Sequence, residues 1–332
     1  MTVVWQMQTR ISYLPYCRKF RQPLITGRGR WAQRRGFIVQ VEDSEGVGHG
    51  ELAPISDFGT ETIETAEAFL RELVERPDLA IPEALPCTAF ALSAAKRRAL
   101  FSGGSYVVSG LLSAGVAAVE QISGKVQQGY TSLKWKVGVL PTEEEIAIFE
   151  RLVSLLPEGG SLRLDANGSL DSEGLELWLR AIQQYSTAVE YLEQPLAVGE
   201  EAKMRAAMDV SGVSIALDES LNGVNGRHWL TEWNGPLVVK LPLMGDCTRL
   251  KGILEPVSER VVLSSVFETT VGLFNALDLA DCLPDLKLPI GFDTFGVFDD
   301  ELQMFEPAPV LTVDDSAQTH MEKIWQTLLH SS

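Results

Sequence analysis

Cysteine is sparse and unpaired in this chain: Cys17, Cys87, Cys247 and Cys282 form no C-x-x-C and no other paired spacing. That scatter argues against a disulfide framework or a zinc knuckle and for reduced thiols in a cytoplasm. Basic residues are few as well, 28 Lys and Arg against 45 Asp and Glu, for a formal net charge of −17. Nucleic acid and anionic membrane surfaces both call for basic patches, so neither is an expected partner, and no obligate protein partner is predicted. No window approaches the roughly 18 uninterrupted apolar residues of a membrane span. The opening MTVVWQMQTRISYLPYCRKF has apolar residues interrupted by charge and no small-residue cleavage site. A soluble, cytoplasmic protein is expected. No G-x-G-x-x-G and no G-x-x-x-x-G-K-[ST] follows any strand-like run, which leaves a nucleotide-binding sheet little support.

What is present is a large apolar fraction, 45% of 332 residues, enough for one large barrel or two ordinary domains. The first hundred residues differ in texture from the rest. In RGFIVQVEDSEGVGHGELAP, Phe37, Val39 and Val41 alternate, DSEG turns, and VGHGELAP returns as a second strand. The helix-like stretches TETIETAEAFLRELVER and PCTAFALSAAKRRAL follow, giving an α+β unit over residues 1–103. From about Tyr106 short apolar strands alternate with helical segments: YVVSGLL, SLKWKVGV, SLRLDAN, AVEYLEQP, VSIALDES, PLVVKLP, RVVLSSVF and LPIGFDT. Eight strands, each with a crossover, predict a closed parallel (β/α) barrel over residues 104–299. The segment from about 300 to 332, with HMEKIWQTLLH, reads as a helix that returns to the first domain.

The polar residues of these strands gather near their C-terminal ends. Asp165 ends SLRLD, Glu193 ends AVEYLE and Asp218 ends SIALD, while Lys134 and Lys136 lie in SLKWK, Lys240 ends PLVVK, and Ser264 and Ser265 end RVVLSS. Successive members are 22 to 29 residues apart, about one βα unit, so the spacing places them around one rim of the barrel. A lone acid behind a strand is ordinarily a helix cap. Three such acids on successive strands repel one another unless a cation joins them, and oxygen donors alone suit a hard ion such as Mg²⁺. Lys136 and Lys240 fall on roughly opposite strands of the ring. Repulsion between Lys134 and Lys136 is expected to lower the pKa of the pair and so to provide a base near neutral pH. Metal, acids and lysine base suit proton abstraction α to a carboxylate. The histidines lie away from the strand ends, and His49 reads as a turn or surface residue.

In order along the chain, KWK, LDAN, LEQP, LDES, VVKLP and SSVFETTVGL resemble the enolase superfamily, and within it the muconate-lactonizing subgroup. Enolase-superfamily sites pair a Lys or His base with Mg²⁺. The resemblance implies a modified TIM barrel, (β/α)7β, behind an α+β capping domain. It implies one Mg²⁺, or Mn²⁺ in its place, on Asp165, Glu193 and Asp218, with Lys136 as base. Lys134 would tune that base, and Lys240 would stabilise the enediolate from the far side. Arg163, Asn167, Ser264 and Ser265 would contact substrate. Arg163, the serine pair and GFDT point to the dehydrating branch, which aromatises 2-succinyl-6-hydroxy-2,4-cyclohexadiene-1-carboxylate for menaquinone or phylloquinone synthesis. The rival within the subgroup is N-succinylamino acid racemisation; cycloisomerases share the same ring. Dipeptide epimerases usually carry D-x-D where this chain has only Asp293. A silent, ligand-binding barrel has no need of the lysines. The segments ITGRGRW and ISDFGTE, with Gly27, Gly29 and Gly59, would close over the mouth.

Overall fold

The computed structural model describes residues 9–26, 29–98 and 103–331. It begins with three antiparallel strands, β1 (Arg10–Thr26), β2 (Gly29–Asp43) and β3 (Gly46–Leu52), in that order. Both faces of this sheet are covered. Phe37, Val39 and Val41 pack on helices α1 (Ile63–Glu75) and α2 (Pro86–Arg97), while Ile38 on the alternate face joins the barrel core. Helix α2 lies so close on β3 that a Cβ at Gly48 would come within 2.0 Å of Ala95 O, and one at Gly50 within 1.9 Å of Ala91 O. Only glycine permits that approach.

The run YVVSGLL does not form one strand. Its first part is β4 (Gly104–Val107), which pairs antiparallel with β12 (Val310–Val313) and leaves alternate residues exposed. After Ser109 the chain enters the barrel as β5 (Gly110–Leu112), followed by α3 (Ala117–Gln127), β6 (Ser132–Lys136) and α4 (Thr142–Ser154). Next come β7 (Ser161–Asp165), α5 (Ser172–Gln184), β8 (Val189–Glu193), α6 (Glu201–Ser211) and β9 (Ile215–Ala216). Two single-turn helices, α7 (Gly223–Gly226) and α8 (Trp229–Glu232), precede β10 (Leu237–Val239), α9 (Cys247–Leu254), β11 (Val261–Leu263) and α10 (Thr270–Ala280). Strands β5 to β9 run parallel in sequence order, as do β10 and β11. Single bridges close the ring: Leu217 to Leu237, Ser264 to Gly291, and Ile290 back to Val108. The eighth stave is thus far shorter than LPIGFDT suggests, and a single 3-10 turn, Phe295–Val297, follows it. The barrel is the modified (β/α)7β form, with a capping sheet at its N-terminal side in sequence.

Helix patterning follows burial. On α5, Leu175, Trp178, Leu179 and Ile182 are buried at helical spacing, and the Asp171 side chain caps the first turn by accepting from Gly174 N–H. The C-terminal helix α11 (Ala317–Ser331) packs against β1, β3 and α10. It covers His49, which is only 1% exposed and is no surface residue: the ring lies against Trp325, its Nε2 is 3.0 Å from Gln40 Nε2 and 3.5 Å from Glu322 Oε2. Sequence alternation hid this, because the exposed face of β3 becomes buried only when α11 arrives.

Three buried charges of the capping sheet grip the barrel. Glu51 accepts from Tyr16 O–H at 2.5 Å and from the N–H groups of Thr269 (2.8 Å) and Gly272 (2.9 Å) at the start of α10. Arg18 binds Asp300 and donates to Glu268 O at 2.8 Å, and Arg34 donates to Val266 O at 3.1 Å. Glu51→Ala strands these donors and should cost about 3 kcal/mol in chemical denaturation. Burial holds the His49 imidazole below its ordinary pKa, against the pull of Glu322. Stability from the neutral ring is therefore present above the unfolded value and lost as pH falls from there through the lower folded value. The Tm gap between His49→Gln and the native protein should shift in favour of the variant between pH 7 and pH 5.

Candidate active site

The in-register pairing of parallel strands decides what fills the barrel. Lys134 pairs with Arg163 and Lys136 with Asp165; on the next strand Arg163 pairs with Tyr191 and Asp165 with Glu193. Since side chains alternate, all six face inward, while Leu133, Trp135, Leu162, Leu164 and Leu192 face the helices, fully buried. Two layers result: Lys134, Arg163 and Tyr191 lie below, and Lys136, Asp165 and Glu193 lie at the mouth.

Lys134 reaches up from the lower layer. Its Nζ lies 2.8 Å from Asp165 Oδ2 and 2.7 Å from Glu193 Oε1, so one ammonium draws two carboxylates together. Asp218 is paired with Lys240 on the next stave, and the Lys240 ammonium lies 5.3 Å from the Phe58 ring centroid. Each acid is thus turned to a lysine, and among the described residues no three acidic, histidine or cysteine side chains already enclose a metal-sized point. The donor set nevertheless fits a hard divalent cation. Its ligands are carboxylate oxygens only, and Glu193 Oε2 is buried with no hydrogen-bond partner, as is Oε2 of the adjacent Glu219.

These charges set one another's proton affinity. Burial favours neutral Lys134, but Asp165 and Glu193 together outweigh it and hold the ammonium well above the ordinary lysine value. This corrects the expected lowering of Lys134 by Lys136: opposite charges within hydrogen-bonding distance dominate the like charge two residues on. Burial lowers Lys240 too, and Asp218 and Glu219 reverse it, leaving it raised. Burial and then the Asp165 charge push Glu193 up to about 8, and burial and then Asp218 push Glu219 up to about 7.

Above the ring lies a cavity of about 490 Å³, within the usual range for small-molecule sites. Its floor and sides include Lys136, Asn167, Gln194, Glu219, Lys240 and Ser265, and its roof is formed by Leu24, Trp31, Ile55 and Phe58 of the capping unit. Gly59 ends the 3-10 turn behind Phe58 with φ +80°; Gly27 lies outside the described residues, and Gly29 opens β2.

Arg163 is not brought to the cavity. It is 1% exposed, with Nε 2.6 Å from Glu190 Oε2, Nη1 donating to Pro289 O at 2.7 Å, and its guanidinium 5.1 Å from the Tyr191 ring centroid. Its even-numbered distance from Asp165 puts it inside the barrel, but one layer down. Ser264 is on the inner face beside Gly291, and Ser265 lines the cavity. Asp293 points out of the site, accepting from Leu111 N–H (2.7 Å), Tyr130 O–H (2.7 Å) and Lys125.

Two residues of the site carried little sequence signal. Gln194, at φ +36°, accepts from the N–H groups of Asp218 and Ser220 (3.1 Å each) and donates to Ser220 Oγ at 2.8 Å, fixing the loop that presents Asp218. Glu219 accepts from Asn167 Nδ2 at 3.1 Å, and Asn167 N–H donates to Asp165 Oδ1 at 3.1 Å. Both adjoin predicted ligands, but their roles rest on left-handed turns that the sequence does not announce.

The description MenC, N-terminal domain, matches residues 10–99, and that of an enolase C-terminal domain-like unit matches residues 117–255. The fold is that of the enolase superfamily. The o-succinylbenzoate synthase of Thermosynechococcus vestitus is 33% identical over 94% of this chain and 97% of its own length. That of Aliivibrio salmonicida is 27% identical over 90% and 93%. Among solved structures, o-succinylbenzoate synthase from Thermosynechococcus elongatus BP-1, complexed with Mg in its active site, superposes with a TM-score of 0.82 at 31% identity, covering 96% and 99% of the two chains. A Bacillus subtilis L-Ala-D/L-Glu epimerase, 18% identical with a TM-score of 0.72 over 88% and 91%, shares the fold. This chain belongs to the o-succinylbenzoate synthase family.

Arg163→Met should lower Tm by several degrees by leaving the Glu190 charge without its cation, while KM for the turned-over substrate stays within about twofold.

Proposed function

We propose that the protein dehydrates 2-succinyl-6-hydroxy-2,4-cyclohexadiene-1-carboxylate to 2-succinylbenzoate in menaquinone or phylloquinone synthesis. What supports this is that Lys136 and Lys240 line one cavity, with Asp165, Glu193 and Asp218 on the staves between theirs and two of these acids paired to lysines. Asp165, Glu193 and Asp218 would hold one Mg²⁺, with Mn²⁺ as the alternative ion. When bound, the ion supplies positive charge that anchors the substrate carboxylate and stabilises the enediolate.

Lys136 reaches the cavity and, among the described residues, makes no ion pair. It takes the proton α to the carboxylate and returns it to the departing ring hydroxyl. One C–H and one C–O bond break, one ring C=C forms, and water leaves. Aromatisation drives the step, so the protein has chiefly to stabilise negative charge on the enediolate. Lys240 does so as an ammonium from the opposite wall, and Lys134 holds Asp165 and Glu193 in place. Asn167 and Ser264 border the substrate. Trp31, Ile55 and Phe58 roof the site and exclude water. We read residues 1–103, with the segment from about 300, as the capping unit, and residues 104–299 as the catalytic barrel.

The opposed lysines also favour a second reading, N-succinylamino acid racemisation, in which a proton leaves one face and returns on the other. Against it stands the Lys240–Asp218 pair, which keeps Lys240 charged. Purified protein should convert the cyclohexadiene with Mg²⁺, stop on chelation, and recover when Mg²⁺ is restored. Lys136→Ala should lower kcat by about 10³-fold or more. Racemisation of an N-succinylamino acid without any dehydration would overturn the assignment.

A further inference from the structure

The wall formed by the loop between β11 and α10 is polar in sequence and apolar in effect. Ser265, Val266 and Phe267 line the cavity, and Phe267 stands at φ +62°, a left-handed position costly for a bulky side chain. Five backbone polar groups of this wall are engaged. Ser265 N–H donates to Gly291 O (3.0 Å), Val266 N–H to Glu268 Oε2 (2.7 Å), and Phe267 N–H to Ser265 Oγ (3.0 Å). The carbonyls of Val266 and of Glu268 accept from Arg34 and Arg18.

Ser265 has one hydroxyl proton and two lone pairs. Its Oγ lies 3.0 Å from Glu268 Oε2 and 2.7 Å from Thr294 Oγ1, in addition to the Phe267 N–H. The Ser265 hydroxyl donates to Glu268 Oε2, which also accepts from Val266 N–H, and Phe267 N–H and Thr294 O–H take the lone pairs. Nothing remains for a substrate oxygen. Glu268 itself is 4% exposed, and its Oε1 has no partner. A buried carboxylate left half-satisfied is expensive, which marks a residue retained for position.

We propose that Glu268 is a positioning residue for substrate capture, which by holding Ser265 Oγ and Val266 N–H fixes an apolar wall of Val266 and Phe267 against the substrate. Under the dehydration proposed above, on which this rests, that wall meets ring or methylene carbon, and Ser265 shapes the wall without binding a substrate carboxylate. The effect falls on binding, since neither Glu268 nor Ser265 reaches Lys136 or the acids through any contact described above.

Steady-state kinetics with the cyclohexadiene and Mg²⁺ test this on Glu268→Ala, Glu268→Gln and Ser265→Ala. Glu268→Ala and Ser265→Ala should each raise KM about tenfold with kcat within twofold, as expected for a lost hydrogen bond that acts on binding. The double variant should be little worse than either single one. Glu268→Gln, whose carbonyl oxygen can accept both bonds, should restore KM to within about threefold. If Glu268→Ala does not fold, the contrast between Ser265→Ala and Glu268→Gln decides the matter alone. A fall in kcat at unchanged KM, an unchanged KM in Ser265→Ala, or a Gln variant as poor as Ser265→Ala would overturn the inference. An inactive native protein would overturn the dehydration assignment and this inference together; an active one with flat KM across the variants overturns the inference only.

Discussion

Charges of one sign can be packed inside a barrel only if the other sign comes within hydrogen-bonding reach of them. The pairing of β6 with β7 and β7 with β8 enforces that proximity: Lys136, Asp165 and Glu193 share one level, and Lys134 bridges to the two acids from below. A slip of one residue in β6 would turn Leu133 and Trp135 inward and both lysines toward the helices. The apolar outer faces make such a slip prohibitive, since Trp135 lies 6.3 Å from Trp178 on α5, centroid to centroid, and Phe149 of α4 is 5.6 Å from the same ring. Packing outside the barrel therefore fixes chemistry inside it.

The capping sheet contributes a roof and a set of buried charged struts. Leu24, Trp31, Ile55 and Phe58 close the cavity, and Glu51, Arg18 and Arg34 fasten the sheet to the segment between Val266 and Gly272. The same segment supplies one cavity wall. Docking of the first unit and shaping of the site are accordingly one set of interactions, which explains why buried ionic groups occur where an apolar interface would be simpler.

The ring of charges was legible because it obeys two local rules, alternation within a strand and one βα unit between strands. Lys136, Asp165, Glu193, Asp218 and Lys240 follow both. Arg163 obeys the same alternation, but layer height depends on register and side-chain direction, and it points to the barrel floor. Asp293, the lone acid where dipeptide epimerases usually carry D-x-D, serves Leu111, Tyr130 and Lys125. Gln194, Glu219 and Glu268 act through turns with positive φ at Gln194, Asn167 and Phe267, none of them glycine, so no residue type signalled them. His49 was misjudged because its cover comes from residues more than 270 positions later.

That late cover has a consequence for biosynthesis. Strand β3 and helix α2 emerge from the ribosome before the barrel, but α11, which seals His49 and packs on β1 and β3, is made only after it. The eight staves between Val108 and Gly291 can close while the first unit still shows an open apolar surface. For the whole of barrel synthesis, then, the leading third of the chain is an unfinished structure. Its exposed sheet is a natural target for chaperones, and truncation just before α11 would harm the beginning of the chain more than its end.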